Sequence, residues 1–434
     1  FEPSYTSTNL TAENFIGFAG GSVVDNSITQ AIGSASVFES ANVTGDYIAT
    51  IFDSNSNKVV VLYEDTSNSG YGTAIVGTVS DTSISFGTAV VFNSAGSRYI
   101  SAAFDSNSNK VVIAYGDSGN SNRGTAIAGT VSNTNISFGS EAVFNSATTT
   151  YTASTFDSNS NKVVISYRDE GNSNYGTSVV STLSGTNISF GSEVVFESTS
   201  TVDIASTFDT ASNKVVHAYR SNFQVTNAGQ TVVGTVSGTG ISYGSKTALG
   251  VDARLIALTF DSTNNKVILA YKDEDNANKG TVRIGTVSGT NISLGSAVLF
   301  VAVGNGETQN IPALSFDSNA GKVVIGYRDQ NNVGDIVVGI VSGTSISFEP
   351  EISMTTTDTR ETSSTFDSNS NKVVFAYRDG GNSNYGTSIV FQNAFTNITR
   401  GSVASGSNAV IDIGSAVSTN QLSLTAGQQY FVQT

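Results

Sequence analysis

Hydrophobic and polar positions alternate along this chain in short runs, and no stretch sustains a helical period. Residues 151–196 show the pattern. Tyr151 to Phe156 alternates larger and small residues and reads as a strand. Asp157-Ser-Asn-Ser-Asn161 follows as a polar turn, because Asp, Asn and Ser bond their own backbone and tolerate unusual dihedrals. Lys162 to Tyr167 is a β-branched second strand, Gly176 to Leu183 a third, and Ile188 to Phe196 a fourth. Periods near two, separated by turn residues, predict an all-β chain.

The unit recurs. Phe-Asp, a polar turn and Lys-Val return at Asp53, Asp105, Asp157, Asp209, Asp261, Asp317 and Asp367, in steps of 52, 52, 52, 52, 56 and 50 residues. Four short strands at that period predict a seven-bladed β-propeller of four-stranded blades. The first strand is rich in small residues, as in Ser101–Phe104 and Thr152–Thr155, and belongs innermost, where room is least. The seventh copy ends near Gln392 without a fourth strand. Ile28 to Ala41 (ITQAIGSASVFESA) parallels the fourth strand at 188–200. Residues 28–41 are therefore expected to complete the last blade and close the ring, leaving no long free sheet edge. The predicted organisation is a propeller over 28–392 with small β extensions at 1–27 and 393–434.

Composition narrows the function. The 434 residues carry a net charge of −15, which argues against nucleic acid, whose phosphates need basic patches. No apolar run reaches the roughly 20 residues of a membrane span. Cysteine is absent, so neither disulfides nor thiolate metal sites are expected. Asp53-Ser-Asn55-Ser-Asn57 resembles the opening of a calcium loop, but its sixth position is lysine in all seven copies, Lys58, Lys110, Lys162, Lys214, Lys266, Lys322 and Lys372, where such loops have glycine. A hairpin turn with Asp and Lys paired across the strands is the better reading. The single histidine, His217, stands where other copies have Val61, Ile113, Ile165, Leu269, Ile325 and Phe375, and is expected to be packed and hydrogen-bonded. Tyr167 to Tyr175 is similar to a sialidase-type Asp-box turn but one residue out of step. Arg168, Arg220, Arg328 and Arg378 occupy equivalent positions in different copies and read as architectural. No catalytic residue, metal or cofactor is predicted.

The wording FDSNSNKVV at 52–60, 104–112, 156–164 and 366–374, with GTVSGTNIS at 285–293, resembles repeat arrays of phage tail-fibre-like and bacterial surface proteins. The flanks NLTAENFIGFA (9–19) and LTAGQQYFVQT (424–434) resemble segments that lie together in a small β-module of such fibre proteins, although here a whole repeat array separates them. The resemblance implies an extracellular fibre or surface role, at a cell surface or on a virion, and supplies no catalytic residues.

Recognition is expected where the copies differ, on the loops between second and third strands and on the connections between units. Candidates are Arg98, Arg123, Phe223, Asp252, Arg254, Glu307 and Arg360. Sequons at Asn9, Asn42, Asn135, Asn187, Asn291 and Asn397 are candidate glycosylation sites, although turn chemistry alone also favours Asn there. Three functions remain open at this stage. The leading one is a bead-like structural subunit self-associating into a filament through its termini, followed by a tail-fibre module recognising a surface glycan. A propeller glycosidase or lyase is the third.

Overall fold

The computed structural model describes residues 27–43, 48–221, 228–300 and 312–396. Phe223, Glu307, Asn9, Asn397 and most of the two terminal extensions lie outside these residues. The described chain is all-β, with four short 3-10 turns at Thr66–Asn68, Ser118–Asn120, Glu170–Asn172 and Glu274–Asn276.

Each copy, numbered one to seven by its Phe-Asp phrase, starts with the same hairpin. Asp53 stands opposite Lys58, Asp157 opposite Lys162 and Asp367 opposite Lys372. In copy one the Asp53 carboxylate accepts the backbone N–H of Asn55 at 2.9 Å and of Ser56 at 3.0 Å. The other copies do the same, including copy four, where the donors are Ala211 and Ser212. The last turn residue is left-handed, Asn57 at φ 55° and Asn213 at φ 55°, and in copy six Gly321 takes that place at φ 65°. Asn and Gly are the residues that enter this region at least cost. One expectation is corrected: each aspartate is held by backbone amides, and four of the lysines bond elsewhere. Lys110 Nζ donates to the Ser108 carbonyl, Lys266 to Thr286 and Lys322 to Glu349.

The second strand is the most buried element. Val59 through Tyr63 have no exposed surface, and Val163, Val164 and Ile165 likewise. It lies between first and third strands, and neighbouring copies cover both of its faces. Val60 and Leu62 share a cluster with Val111, Ile113 and Tyr115 of copy two. Val59, Val61 and Tyr63 share another with Val374, Ala376 and Val390 of copy seven. Copy one therefore packs on copy two with one face and on copy seven with the other. Thr50 and Ser363 hydroxyls meet at 2.9 Å across the latter contact, as Ser101 and Ser154 do at 2.8 Å between copies two and three.

Fourth strands reach across to the next copy. The 16-residue strands Val90–Asp105, Ala142–Asp157, Val194–Asp209 and Ile352–Asp367 serve as the fourth strand of one copy and the first of the following one. Each presents an aromatic or large apolar side chain to its neighbour. Phe92 packs on Tyr115 and Phe138 with ring centroids at 5.2 and 5.9 Å, and Phe144 on Tyr167 and Phe190 at 5.0 and 5.8 Å. The third strand beneath carries glycine because the ring fills the space of a Cβ, as Phe92 does over Gly72.

In copy seven this strand comes from the other end of the chain. Ala31–Ile32 and Ser36–Asn42 pair antiparallel with Tyr385–Gln392, with Ala31 opposite Gln392 and Ser36 opposite Ser388. Phe38 packs on Tyr63 at 5.2 Å and Phe86 at 5.8 Å, over Gly386. The pairing with this strand starts at Ala31 and not Ile28. Ser27–Ile28 instead pairs with Phe395–Thr396 in a separate two-stranded ladder.

Because Phe38 is 7% exposed and touches three elements, Phe38→Ala leaves a cavity at the join of copies one and seven. A loss of about 3–5 kcal/mol is expected for truncating a buried Phe. Guanidinium unfolding checks it, and a loss under about 1 kcal/mol would show that the contact contributes little.

Candidate functional site

Hairpin turns lie at one end of the strands, and the second-to-third-strand loops at the other. Across each hairpin the first strand ends where the second begins, as in Asp105 opposite Lys110, so the bases of the first strands lie beside those loops. This loop face is built by a second set of aspartates. Asp65, Asp117, Asp169 and Asp273 cap the 3-10 turns, with Asp169 accepting the Gly171 N–H at 3.0 Å. Buried Asn93 and Asn145 tie this cap to the preceding fourth strand, donating to Asp117 at 3.1 Å and Asp169 at 3.0 Å. The Asp-box-like segment is thus an architectural turn capped by Asp169.

On this face the first strands of copies two, three, four, five and seven bulge. Pairing jumps from Arg98–Gly116 to Ser101–Ala114, from Thr150–Arg168 to Ala153–Ser166, and likewise after Val202, Arg254 and Arg360. The residue that starts each bulge is left-handed without being glycine: Tyr99 (φ 54°), Tyr151 (φ 52°), Asp203 (φ 52°), Leu255 (φ 52°) and Glu361 (φ 45°). For bulky side chains this is a costly region, of order 1–3 kcal/mol each, and it persists only where the surroundings impose it. These residues were not candidates in the sequence, which reads there as straight strand. Their signal was one aligned column holding Tyr, Tyr, Asp, Leu and Glu among small neighbours.

The structure gathers the five described candidate residues on this face. Arg98, Arg254 and Arg360 each stand one residue before a bulge, Asp252 lies just upstream of Arg254, and Arg123 opens a third strand opposite Asp117. Most are bound to one another or to neighbours. Asp252 forms a two-pronged pair with Arg220 at 2.5 and 2.6 Å. Arg254 bonds Asp203 at 3.1 Å and Glu274 at 3.4 Å. Burial pushes the Asp203 carboxyl above the usual carboxylate range, and Arg254 offsets part of that. Arg360 and Arg328 share Asp358 at 2.6 and 2.7 Å. Burial alone would raise Asp358, but its hydrogen bonds from the two arginines hold it below the usual range. Arg378 pairs with the bulge residue Glu361 at 2.5 Å. Arg123 donates to Asn120 at 3.3 Å. The Tyr99 and Tyr151 rings stand 5.0 Å apart at 44°.

At the opposite end, the first strands of copies seven, one, two and three converge on an open cavity of about 430 Å³. Phe52, Phe104, Phe156 and Phe366 line it with Ser54 and Ser106, and no charged side chain does. The sequons at Asn42, Asn135, Asn187 and Asn291 are all exposed, the last three at the turn that opens each fourth strand.

Two further titratable groups are buried. His217 is fully buried, with Nδ1 at 2.6 Å from Ser206 Oγ and Nε2 at 3.0 Å from Tyr243 Oη. Desolvation pushes its pKa down to about 3, so it stays neutral. Asp335 of copy six occupies the column that is threonine in five other copies, among them Thr73, Thr125 and Thr281. It is 6% exposed. Burial first, then Glu351 and Asp329, raise its pKa to about 7.

No family model matches the sequence, and no curated protein sequence is similar to it. Solved structures do align. The BP39L lectin from Burkholderia pseudomallei superposes with a TM-score of 0.60 at 11% identity, over 81% of this chain and 98% of that one. The beta-propeller domain of Cps50 (Swd1) from Myceliophteria thermophila gives 0.49 at 10% identity, over 82% and 99%. AofleA from Arthrobotrys oligospora gives 0.47 at 11% identity, over 75% and 92%.

Asp335 yields a pH prediction. An unfolded aspartate ionises near pH 4, whereas the folded one keeps its proton to about pH 7, so the folded state binds more protons between them. Its carboxyl therefore makes stability fall as pH rises through that window. Asp335→Thr is expected to remove the fall and to raise stability at pH 8 by on the order of 1–3 kcal/mol. Denaturant unfolding at pH 4.5 and 8 checks it, and equal effects at both would overturn the assignment.

With recurrent four-stranded antiparallel units packed face to face and small-residue strands turned towards one another, the chain has the β-propeller fold.

Proposed function

We propose that the protein is a non-enzymatic carbohydrate-binding propeller that recognises a surface glycan through its loop face. In this reading the ring has seven blades, spans 28–392 and is closed by the N-terminal segment in the outer position of the last blade. The packing of copy seven on copy one through Phe38, Tyr63 and Val374 supports that closure. The observation that carries the functional reading is the series of left-handed bulges, which sets Tyr, Leu, Asp, Glu and Arg side chains at one end of the inner strands. Those side chains differ from copy to copy, whereas the turns at the other end are nearly identical. Stacking rings and fixed hydrogen-bonding groups on a rigid scaffold suit sugar recognition. Structural likeness to a protein described as a lectin is consistent with it. Among the described residues no group of three or more His, Asp or Glu could hold a metal ion, and no helix is long and apolar enough to cross a membrane. A glycan array with the full chain tests the reading. Binding to a defined set of glycans is expected, lost on Arg98→Ala with Tyr151→Ala and retained on Asn159→Ala in the opposite turn. Absence of binding to every glycan would overturn it.

A second reading, a subunit of a surface filament or tail fibre outside the cell, is favoured by the ladder of Ser27–Ile28 with Phe395–Thr396. That ladder sets Ser27–Ile28 beside Phe395–Thr396, where the two flanks join the repeats, and a small joining module would grow from it. The flanks 1–27 and 393–434 would then link subunits, which grow as a fibre because such contacts do not close. Filaments in electron micrographs of the purified full chain are expected, and separate particles at every concentration would overturn this reading.

A further inference from the structure

The loop face is not electrically uniform. Of nine described arginines, eight have a hydrogen bond or ion pair: Arg220, Arg254, Arg328, Arg360 and Arg378 hold carboxylates, Arg168 and Arg123 hold asparagines, and Arg283 holds backbone carbonyls. Arg98 has no such partner among the described residues, and it is exposed. The equivalent Arg254 is held by the carboxylates of Asp203 and Glu274, whereas in copy two Ser118 stands in the place of Glu274. Where other copies put Arg168, Arg220, Lys272 and Arg378 opposite the equivalent position, Arg98 faces Gly116. A side chain at 116 is excluded, since a Cβ there would come within 2.8 Å of the Thr149 carbonyl oxygen. Arg98 thus stands as a cation unpaired among the described residues, opposite a glycine that adds no side chain, in a protein of net charge −15.

Beside it in the chain, Tyr99 begins the bulge, and its ring meets Tyr151 of the next copy at 5.0 Å. The two tyrosines are held by the left-handed backbone at 99 and 151 and by the Thr152 hydroxyl, which donates to the Tyr99 carbonyl. An unpaired guanidinium offers a planar fork that matches a carboxylate, and tyrosine rings offer flat apolar faces to a pyranose. We infer that the join of copies two and three on the loop face is a subsite for a carboxylate-bearing sugar, with Arg98 pairing the carboxylate and Tyr99 and Tyr151 supporting the ring. This rests on the carbohydrate-binding reading and deepens it.

Titration calorimetry at low and physiological salt tests it with the full chain. The probes are trigalacturonic acid beside its methyl ester, and sialyllactose beside lactose, which separate uronic from sialic acids as the source of the carboxylate. At least one acid is expected to bind about tenfold or more tightly than its neutral counterpart, with the preference weakening as salt rises. Arg98→Gln should abolish the preference, Arg98→Lys should restore part of it, and Tyr151→Leu should weaken acid and neutral sugars alike. Unfolding midpoints of the variants confirm that they fold. Equal binding of acidic and neutral probes, or a preference unchanged in Arg98→Gln, overturns this subsite and leaves the carbohydrate reading standing. If no sugar of either kind binds here or on the array, both fall.

Discussion

The whole arrangement depends on how one unit of four strands finds a cover for each of its faces. A single twisted antiparallel sheet with apolar residues on both sides of its second strand cannot be stable alone in water. Here the cover is another copy of itself, registered by a side chain from the fourth strand. Phe92, Phe144 and Phe196 each insert between the tyrosine and the outer aromatic of the following copy, and Phe300 does the same with Tyr327 at 5.3 Å. The glycine below each ring is the other half of the contact, since any side chain there would displace it. Phe38 performs this role on copy one, and it does so from a strand that completes copy seven at the far end of the chain. Chain ends thereby become part of a structural unit, and the tyrosine column stays buried in every copy.

Much of this was legible because repetition acts as an internal alignment. The Asp of each Phe-Asp phrase was readable as a turn residue, and its amide partners at two and three residues on follow from ordinary Asx chemistry. The Asn column before lysine was readable too, and its left-handed backbone explains why copy six can carry Gly321 there. The lysine was misread in one respect. Standing opposite an aspartate across a hairpin does not bring the charges together when that carboxylate is turned inward to two amides. Missing strand and surplus strand could be matched by wording alone, but not the break at Gly33–Ala35 or the separate ladder at Ser27–Ile28.

The candidate site was legible only in outline. Variation pointed to one end of the strands, because Arg98, Asp252, Arg254 and Arg360 stand out against neighbours repeated from copy to copy. Strand periodicity could not reveal the bulges. A bulge changes which way a side chain faces without altering composition, and Tyr99, Asp203 and Leu255 carry none of the residues that usually announce a left-handed backbone. Nor does sequence tell a paired arginine from a bare one. Arg254 and Arg98 fill the same column, yet Asp203 and Glu274 neutralise the first, while Ser118 replaces that glutamate beside the second, which has no partner among the described residues.

Coordinated departures from the repeat distinguish architecture from function. His217 breaks an apolar column, and the surrounding columns break with it: Tyr243 stands in place of Phe86, Phe138 and Phe190, and Ser166 in place of Ala114 and Ala218. Every polar atom added there meets another, His217 Nε2 with Tyr243 and Ser166, and Nδ1 with Ser206, so the substitutions cancel one another inside the core. Such a group satisfies itself and presents nothing to solvent. Arg98 is the opposite case: the cation of the facing strand is gone, Gly116 standing in its place, and no carboxylate among the described residues pairs with Arg98. An uncompensated charge on an exposed surface carries little energetic penalty in water, so stability does not require its neutralisation within the chain. A partner brought from outside is then free to supply the opposite charge, and the subsite proposed at the join of copies two and three rests on that asymmetry.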